Sequence, residues 1–185
     1  MVSTNDVKSG QALDLPDGLF LIIEKQHVKP GKGRAFVRMK LKNLLTGAVV
    51  DRTFRADEDV PQAIIDRRSH QFLYRDDLGY HFMNLETYAQ FALTEEDVGE
   101  AKNYITEGAT VLLPLYNDSP IGVELPASVE LKVTGAEPAV RGDRVSGATK
   151  PVTLQTGLVV QAPLFIDEGD TIKVDTRSGT YISRV

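Results

Sequence analysis

An all-β chain folded as small barrels is the architecture this sequence predicts, and three observations predict it. Short segments rich in β-formers recur along the whole chain, punctuated by Gly, Pro, Asn and Asp. The segment "AFVRMKLK" alternates cleanly, with Val37, Met39 and Leu41 facing one way and Arg38, Lys40 and Lys42 the other, the period-two mark of a half-buried strand. Long stretches of helical periodicity are missing, while 42% of the residues are hydrophobic, enough for a packed core.

In chain order, "GLFLIIEKQHV" and "AFVRMKLK" read as a hairpin whose loop is "KPGKGR", residues 29–34. Pro30-Gly31 suits the central pair of a type II turn, because proline presets φ and glycine accepts positive φ. Gly33 adds a second flexible point, so Lys32 is expected to project into solvent. "GAVVDRTFRA" is a further strand. In "AIIDRRS" helical and extended patterns fit equally. "QFLYRDDLGYHFMN" is two aromatic strands around an Asp-Asp-Leu-Gly turn. "NLETYAQFAL" reads as a short helix capped by Asn84, and "TEEDVGEAKNYI" as another, with Thr94 as N-cap and acids in its first turn. Residues 106–138 return to strand and turn. "GDRVSGATKPV" is a polar, Gly-rich loop, followed by the short strands of "TLQTGLVVQAPLF", "DTIKVDT" and "GTYISRV". The 185 residues accommodate three units, 1–64, 65–128 and 129–185, each within the size range that folds alone.

The net charge of −5 conceals segregation. Residues 25–42 carry seven Lys or Arg and no acid, whereas residues 65–128 carry four basic and eleven acidic side chains. Such a field aims one end of the molecule at a polyanion; a solvated basic strand pair is the alternative reading. There is no cysteine, which excludes disulfides and thiolate metal sites. No apolar stretch approaches the roughly 20 residues that span a bilayer, and "MVSTNDVKSG" lacks the pattern of a signal peptide. A cytoplasmic protein that uses no membrane is expected.

Other motifs exclude more than they assign. "GKG" is no phosphate loop, because Lys32 is followed by glycine rather than Ser or Thr and no helix follows. "RGD" at Arg141–Asp143 is a loop that touches RNA or nothing. His27, His70 and His81 have no metal-ligand spacing and support no catalytic arrangement, so neither metal, cofactor nor enzyme activity is expected. Tyr181 and Arg184 in "YISRV" suit base stacking and phosphate binding; a tyrosine packed inward on a terminal strand is the other reading.

Taken together, "HVKPGKGRAFVRMKLKNLLTG", "FLYRDDLGYHFMNLETY", "VLLPLYNDSPIGVELPASVELKVTGAEPAVRGD" and "KPVTLQTGLVVQAPLFIDEGDTIKVDTRSGTYISRV" resemble, in order and over the whole chain, the bacterial elongation factor P family. Ala162 stands where valine is usual, Arg144 where threonine is frequent, and Arg34 where glutamine or proline is frequent. The resemblance implies an N-terminal KOW/SH3-like barrel and two OB-like barrels in an L-shaped arrangement, and it favours strand for "AIIDRRSHQFLY". It implies a monomeric factor that binds the 70S ribosome between the peptidyl and exit sites and relieves stalling at consecutive prolines. Lys32 would reach the CCA end of the P-site peptidyl-tRNA from a tip formed by Pro30, Gly31, Gly33 and Arg34, and a lysine-modifying enzyme would act on it. Lys29, Lys40 and Lys42 would follow RNA phosphates. Gly142, Asp143 and Arg144 match a loop that approaches the exit-site codon, and Tyr181 and Arg184 match tRNA-facing residues. A paralogue serving other client messages, or a generic OB-fold RNA-binding protein, would carry many of the same features.

Overall fold

The computed structural model describes residues 1–139 and 147–185. Its strands are β1 (Val2–Ser3), β2 (Ala12–Leu15), β3 (Gly18–Val28), β4 (Phe36–Asn43), β5 (Val49–Arg55), β6 (Asp59–Val60), β7 (Gln62–Ala63), β8 (Asp66–Asp76), β9 (Gly79–Asn84) and β10 (Gln90–Leu93). A one-turn helix α1 (Glu95–Val98) and a 3-10 segment (Gly99–Asn103) follow. The chain then continues through β11 (Thr110–Tyr116), β12 (Ser119–Pro120), β13 (Ser128–Ala136), β14 (Thr149–Leu154), β15 (Val159–Pro163), β16 (Thr171–Asp175) and β17 (Tyr181–Arg184). None of the helices among the described residues is long and apolar enough to cross a membrane.

The chain divides into two units, residues 1–68 with 113–122 and residues 69–112 with 123–185. In the first, a five-stranded sheet runs in the order β5-β4-β3-β2-β7 with antiparallel neighbours. The alternation read from "AFVRMKLK" is realised: Val37, Met39 and Leu41 are fully buried, joined by Leu13, Phe20 and Ile22. Burying each such side chain stabilises by about 1.5–3 kcal/mol. In the same unit the Tyr116 hydroxyl donates to Asp14 Oδ2 at 2.7 Å, and Tyr116 packs with Ile121 against Ala12, Leu19 and Ala63. The hydrogen bond to the Asp14 carboxylate raises the phenol above its ordinary pKa. The hairpin joining β11 to β12 turns on Asn117 (φ 49°) and Asp118 (φ 62°), the two positive-φ positions a type I′ turn requires.

In the second unit, β8, β9 and β10 form an antiparallel run around buried Phe72, Tyr80 and Phe82. Strands β15-β14-β13-β16-β17 form another sheet around Leu131, Val152, Ile166 and Ile172. Extended structure over Asp66–Asp76 decides the ambiguous "AIIDRRS" in favour of strand from Asp66 onward. Thr94 caps α1 as its sequence indicates: its Oγ1 accepts from the Asp97 amide at 3.2 Å, and Asp97 Oδ2 accepts from the Thr94 amide at 3.3 Å.

The helix expected after Asn84 is absent. Asn84 Oδ1 does accept the amides of Glu86 (2.8 Å) and Thr87 (3.1 Å), but Tyr88 turns to φ 62° and the chain returns as β10. The Phe91–Phe82 and Leu93–Tyr80 pairings then place it beside β9. A local cap that helix and turn share equally is decided here by the ladder.

Candidate functional site

Strands β3 and β4 pair without interruption from Glu24–Lys40 to Val28–Phe36. Beyond that last pair lie residues 29–34, every one of them exposed. The return limb is tied down where Ala56 N donates to Ala35 O at 3.1 Å. Positive φ falls on Gly33 (115°) rather than Gly31, so the loop is not the type II turn expected at Pro30-Gly31. Pro30 leads in, and the reversal is completed one residue past Lys32. A Cβ added at neighbouring Gly31 would meet no atom within 4 Å, and Lys32 itself is exposed at the apex. Among the described residues, no carboxylate pairs with Lys29, Lys32 or Arg34.

The sheet redistributes the charge that the sequence shows as one run. Lys25 is not part of the exposed field: its Nζ donates to Asn5 O at 2.5 Å and to Val7 O at 2.9 Å, pinning the first residues of the chain. Lys40 lies between Glu24 on β3 and Asp51 on β5 in the pairing register. Arg38 lies between Gln26 and Thr53, and Lys42 between Leu21 and Val49. The face is therefore not wholly cationic; its middle position has an acid on either side. Neither acid was visible from residues 25–42 alone, because both enter through cross-strand register.

In the second unit, Tyr181 is half-buried and packs against the core of its own sheet. Arg184 is exposed, with its guanidinium carbon 5.4 Å from the centre of the Phe165 ring. Phe165 is 59% exposed and was not singled out from sequence, where it stands in "APLFIDEG" as one more apolar residue. Gly142, Asp143 and Arg144, with Arg141, lie outside the described residues. Lys29 to Arg34 are thus gathered on one hairpin tip, Arg38, Lys40 and Lys42 on one face of β4, and Tyr181 and Arg184 on β17.

Histidines supply no centre of reactivity. His70 is fully buried beside Phe91. His81 stacks on Tyr74 at 4.4 Å and its Nε2 lies 2.7 Å from Asp76 Oδ1. Among the described residues no group of three His, Cys, Asp or Glu side chains is placed to hold a metal.

Three family models match consecutive stretches: the elongation factor P KOW-like domain over residues 3–60, its OB domain over 65–123 and its C-terminal domain over 129–184. Elongation factor P of Carboxydothermus hydrogenoformans is 51% identical over 185 residues, covering all of both chains. The protein of that name from Symbiobacterium thermophilum is 53% identical over 184 residues, again covering all of both. That of Mycobacterium avium is 50% identical, covering all of this chain and 99% of its own. Among solved structures, eukaryotic translation initiation factor 5A from Methanococcus jannaschii aligns with a TM-score of 0.53 at 24% identity, over 66% of this chain and 90% of that one. A translation initiation factor eIF-5A family protein from Naegleria fowleri aligns at 0.54 and 16%, over 67% and 94%; at these identities the likeness speaks for the fold. Three domain models in sequence and whole-length relatives at half identity show that this chain belongs to the elongation factor P family, a family of translation factors and not of enzymes.

Proposed function

We propose that the protein binds the 70S ribosome between the peptidyl and exit tRNA sites and relieves stalling at consecutive prolines by steadying the P-site peptidyl-tRNA. The observation that carries this reading is the tip itself: six exposed residues beyond a continuous ladder, with one amine at the apex and, among the described residues, no acid paired to it. Proline reacts poorly because its ring fixes φ and restricts approach. Holding the CCA end in attack geometry lowers the entropic barrier without any proton transfer by the factor. Lys32 supplies a charged hydrogen-bond donor to that end, and a lysine-modifying enzyme extends it. Lys29 and Arg34 meet phosphates beside it and Arg38 and Lys42 follow along β4, whereas Lys40, expected to do the same, has Glu24 and Asp51 opposite it in the sheet and contributes little. Gly142, Asp143 and Arg144 approach the exit-site codon, and Tyr181 and Arg184 face tRNA. The factor works as a cytoplasmic monomer of three functional domains, 1–64, 65–128 and 129–185.

Cosedimentation tests this directly. The protein is expected to pellet with 70S ribosomes and to leave free single-stranded oligoribonucleotides unbound at the same concentration. Equal affinity for free oligonucleotide would instead describe a generic OB-fold RNA binder.

The register along β4 adds a graded prediction. Arg38→Ala and Lys42→Ala each lower the slope of log affinity against log salt by about 1, the loss of one phosphate contact. Lys40→Ala is expected to leave it nearly unchanged, because Glu24 and Asp51 stand on either side of it in the cross-strand register. Ribosome binding measured across a salt series separates the three; a Lys40 slope change as large as that of Lys42 refutes the neutralised middle position.

A further inference from the structure

Resting on the reading that Arg184 meets tRNA, we infer that Phe165 is the positioning residue that holds the Arg184 guanidinium for a phosphate. Three arginines of the described residues lie over an aromatic ring, and two of them are also bound by carboxylates: Arg52, 4.8 Å from the Phe20 ring, by Asp17, and Arg75, 5.2 Å from the Tyr80 ring, by Glu95. Arg184 has the ring without the carboxylate: its guanidinium carbon lies 5.4 Å from the centre of the Phe165 ring, and no acid pairs with it among the described residues. The difference has a chemical consequence. A carboxylate orients a guanidinium by occupying its N–H donors and offsetting its charge. An aromatic face orients it through the plane and leaves both the charge and the donor edge available.

Both partners are fixed from behind. Phe165 precedes Ile166, which is fully buried, and the Ile166 amide closes a turn onto Pro163 O at 3.1 Å. Arg184 pairs with Ile172 on β16, and the next amide, Val185 N, donates to Thr171 O at 2.9 Å. Two anchored backbones hold a long side chain that would otherwise lose its rotamer freedom on binding. With 59% of its surface facing solvent, Phe165 leaves Arg184 at the surface, where its donor edge stays open to a ligand.

The test is a double-mutant cycle on the full chain, read as affinity for 70S ribosomes carrying diprolyl-tRNA in the peptidyl site. Arg184→Ala is expected to weaken binding about ten-fold, the loss of a charged contact. Phe165→Ala is expected to weaken it about three-fold, the scale of an exposed cation–π contact, with an unchanged Tm. The double variant is expected to bind no more weakly than Arg184→Ala alone. Phe165→Trp retains affinity and Phe165→Leu does not, which separates the ring face from mere bulk. Additive losses overturn the inference by making Phe165 a contact in its own right, and so does a Phe165→Ala protein that binds like the parent. If Arg184→Ala binds like the parent while Lys32→Ala still loses stimulation, the inference and the tRNA role of Arg184 fall together and the role of the finger survives. If both variants behave like the parent, the ribosomal reading fails as a whole.

Discussion

Lys32→Ala is expected to abolish stimulation of Pro-Pro-Pro synthesis in a cell-free translation system, bringing the yield down to that without factor, while leaving the Tm within about 1 °C. The two halves of that expectation come from different observations. Stability is untouched because residues 29–34 are exposed, Lys32 pairs with no carboxylate among the described residues, and surface substitutions away from special features stay within about 0.5 kcal/mol. Activity is lost because the apex offers only one amine. Lys29 and Arg34 flank it but point from positions two or three residues away, and neither can take over the tip's reach. Lys32→Arg keeps the charge yet remains below the parent, because a planar fork and a compact ammonium present donors in different geometry. A Lys32→Ala protein with full activity would mean that the tip is a bystander and that the barrels alone carry the effect.

Much of the finger was legible in the sequence, and the reasons are physical. Burial on one side of a strand imposes period two, so Val37, Met39 and Leu41 declare the core face by their spacing alone. Thr94 and Asp97 declared a helix start, because a capping box needs only local groups. What stayed illegible is what depends on pairing across the chain. Asn84 offers its side-chain oxygen to the amides of Glu86 and Thr87, the same gesture in a helix cap and in an Asx turn; only the ladder with β9 distinguishes them. Lys40 looked unopposed within its own segment, yet its neighbours in the sheet are Glu24 and Asp51. Lys25 looked like part of the basic field, yet it serves the carbonyls of Asn5 and Val7. Gly31 and Gly33 both satisfied the rule for positive φ, and nothing local decided which would use it. The Phe165–Arg184 contact joins a turn to the end of strand β17, 19 residues on in sequence, without a pattern to announce it.

The largest effect on folding is expected at Gly79, the residue that closes the β8–β9 hairpin. Gly79 has φ 130°, a region that side chains rarely adopt. A Cβ built there would lie 2.2 Å from Leu93 O and 3.0 Å from Leu93 C, backbone atoms that cannot swing aside like a flexible side chain. Relief requires moving the end of β10 or the start of α1. Leu93 is buried and pairs with Tyr80, and Thr94, the next residue, makes the capping box of α1. Backbone strain of this kind costs about 1–3 kcal/mol, and disturbing a cap costs about 1 kcal/mol more. Gly79→Ala is therefore expected to destabilise by about 3 kcal/mol, which for a chain of this size lowers the Tm by about 10 °C. Leu78→Ala, at an exposed neighbour in the same turn, is the control and shifts the Tm by less than about 2 °C. Equal melting of Gly79→Ala and the parent would show that β10 and α1 yield freely at their junction. If the clash is real, the damage stays apart from the chemistry of the finger: Lys32 belongs to the other unit, so Gly79→Ala protein assayed well below its Tm retains stimulation at consecutive prolines, a combination that separates loss of fold from loss of the amine.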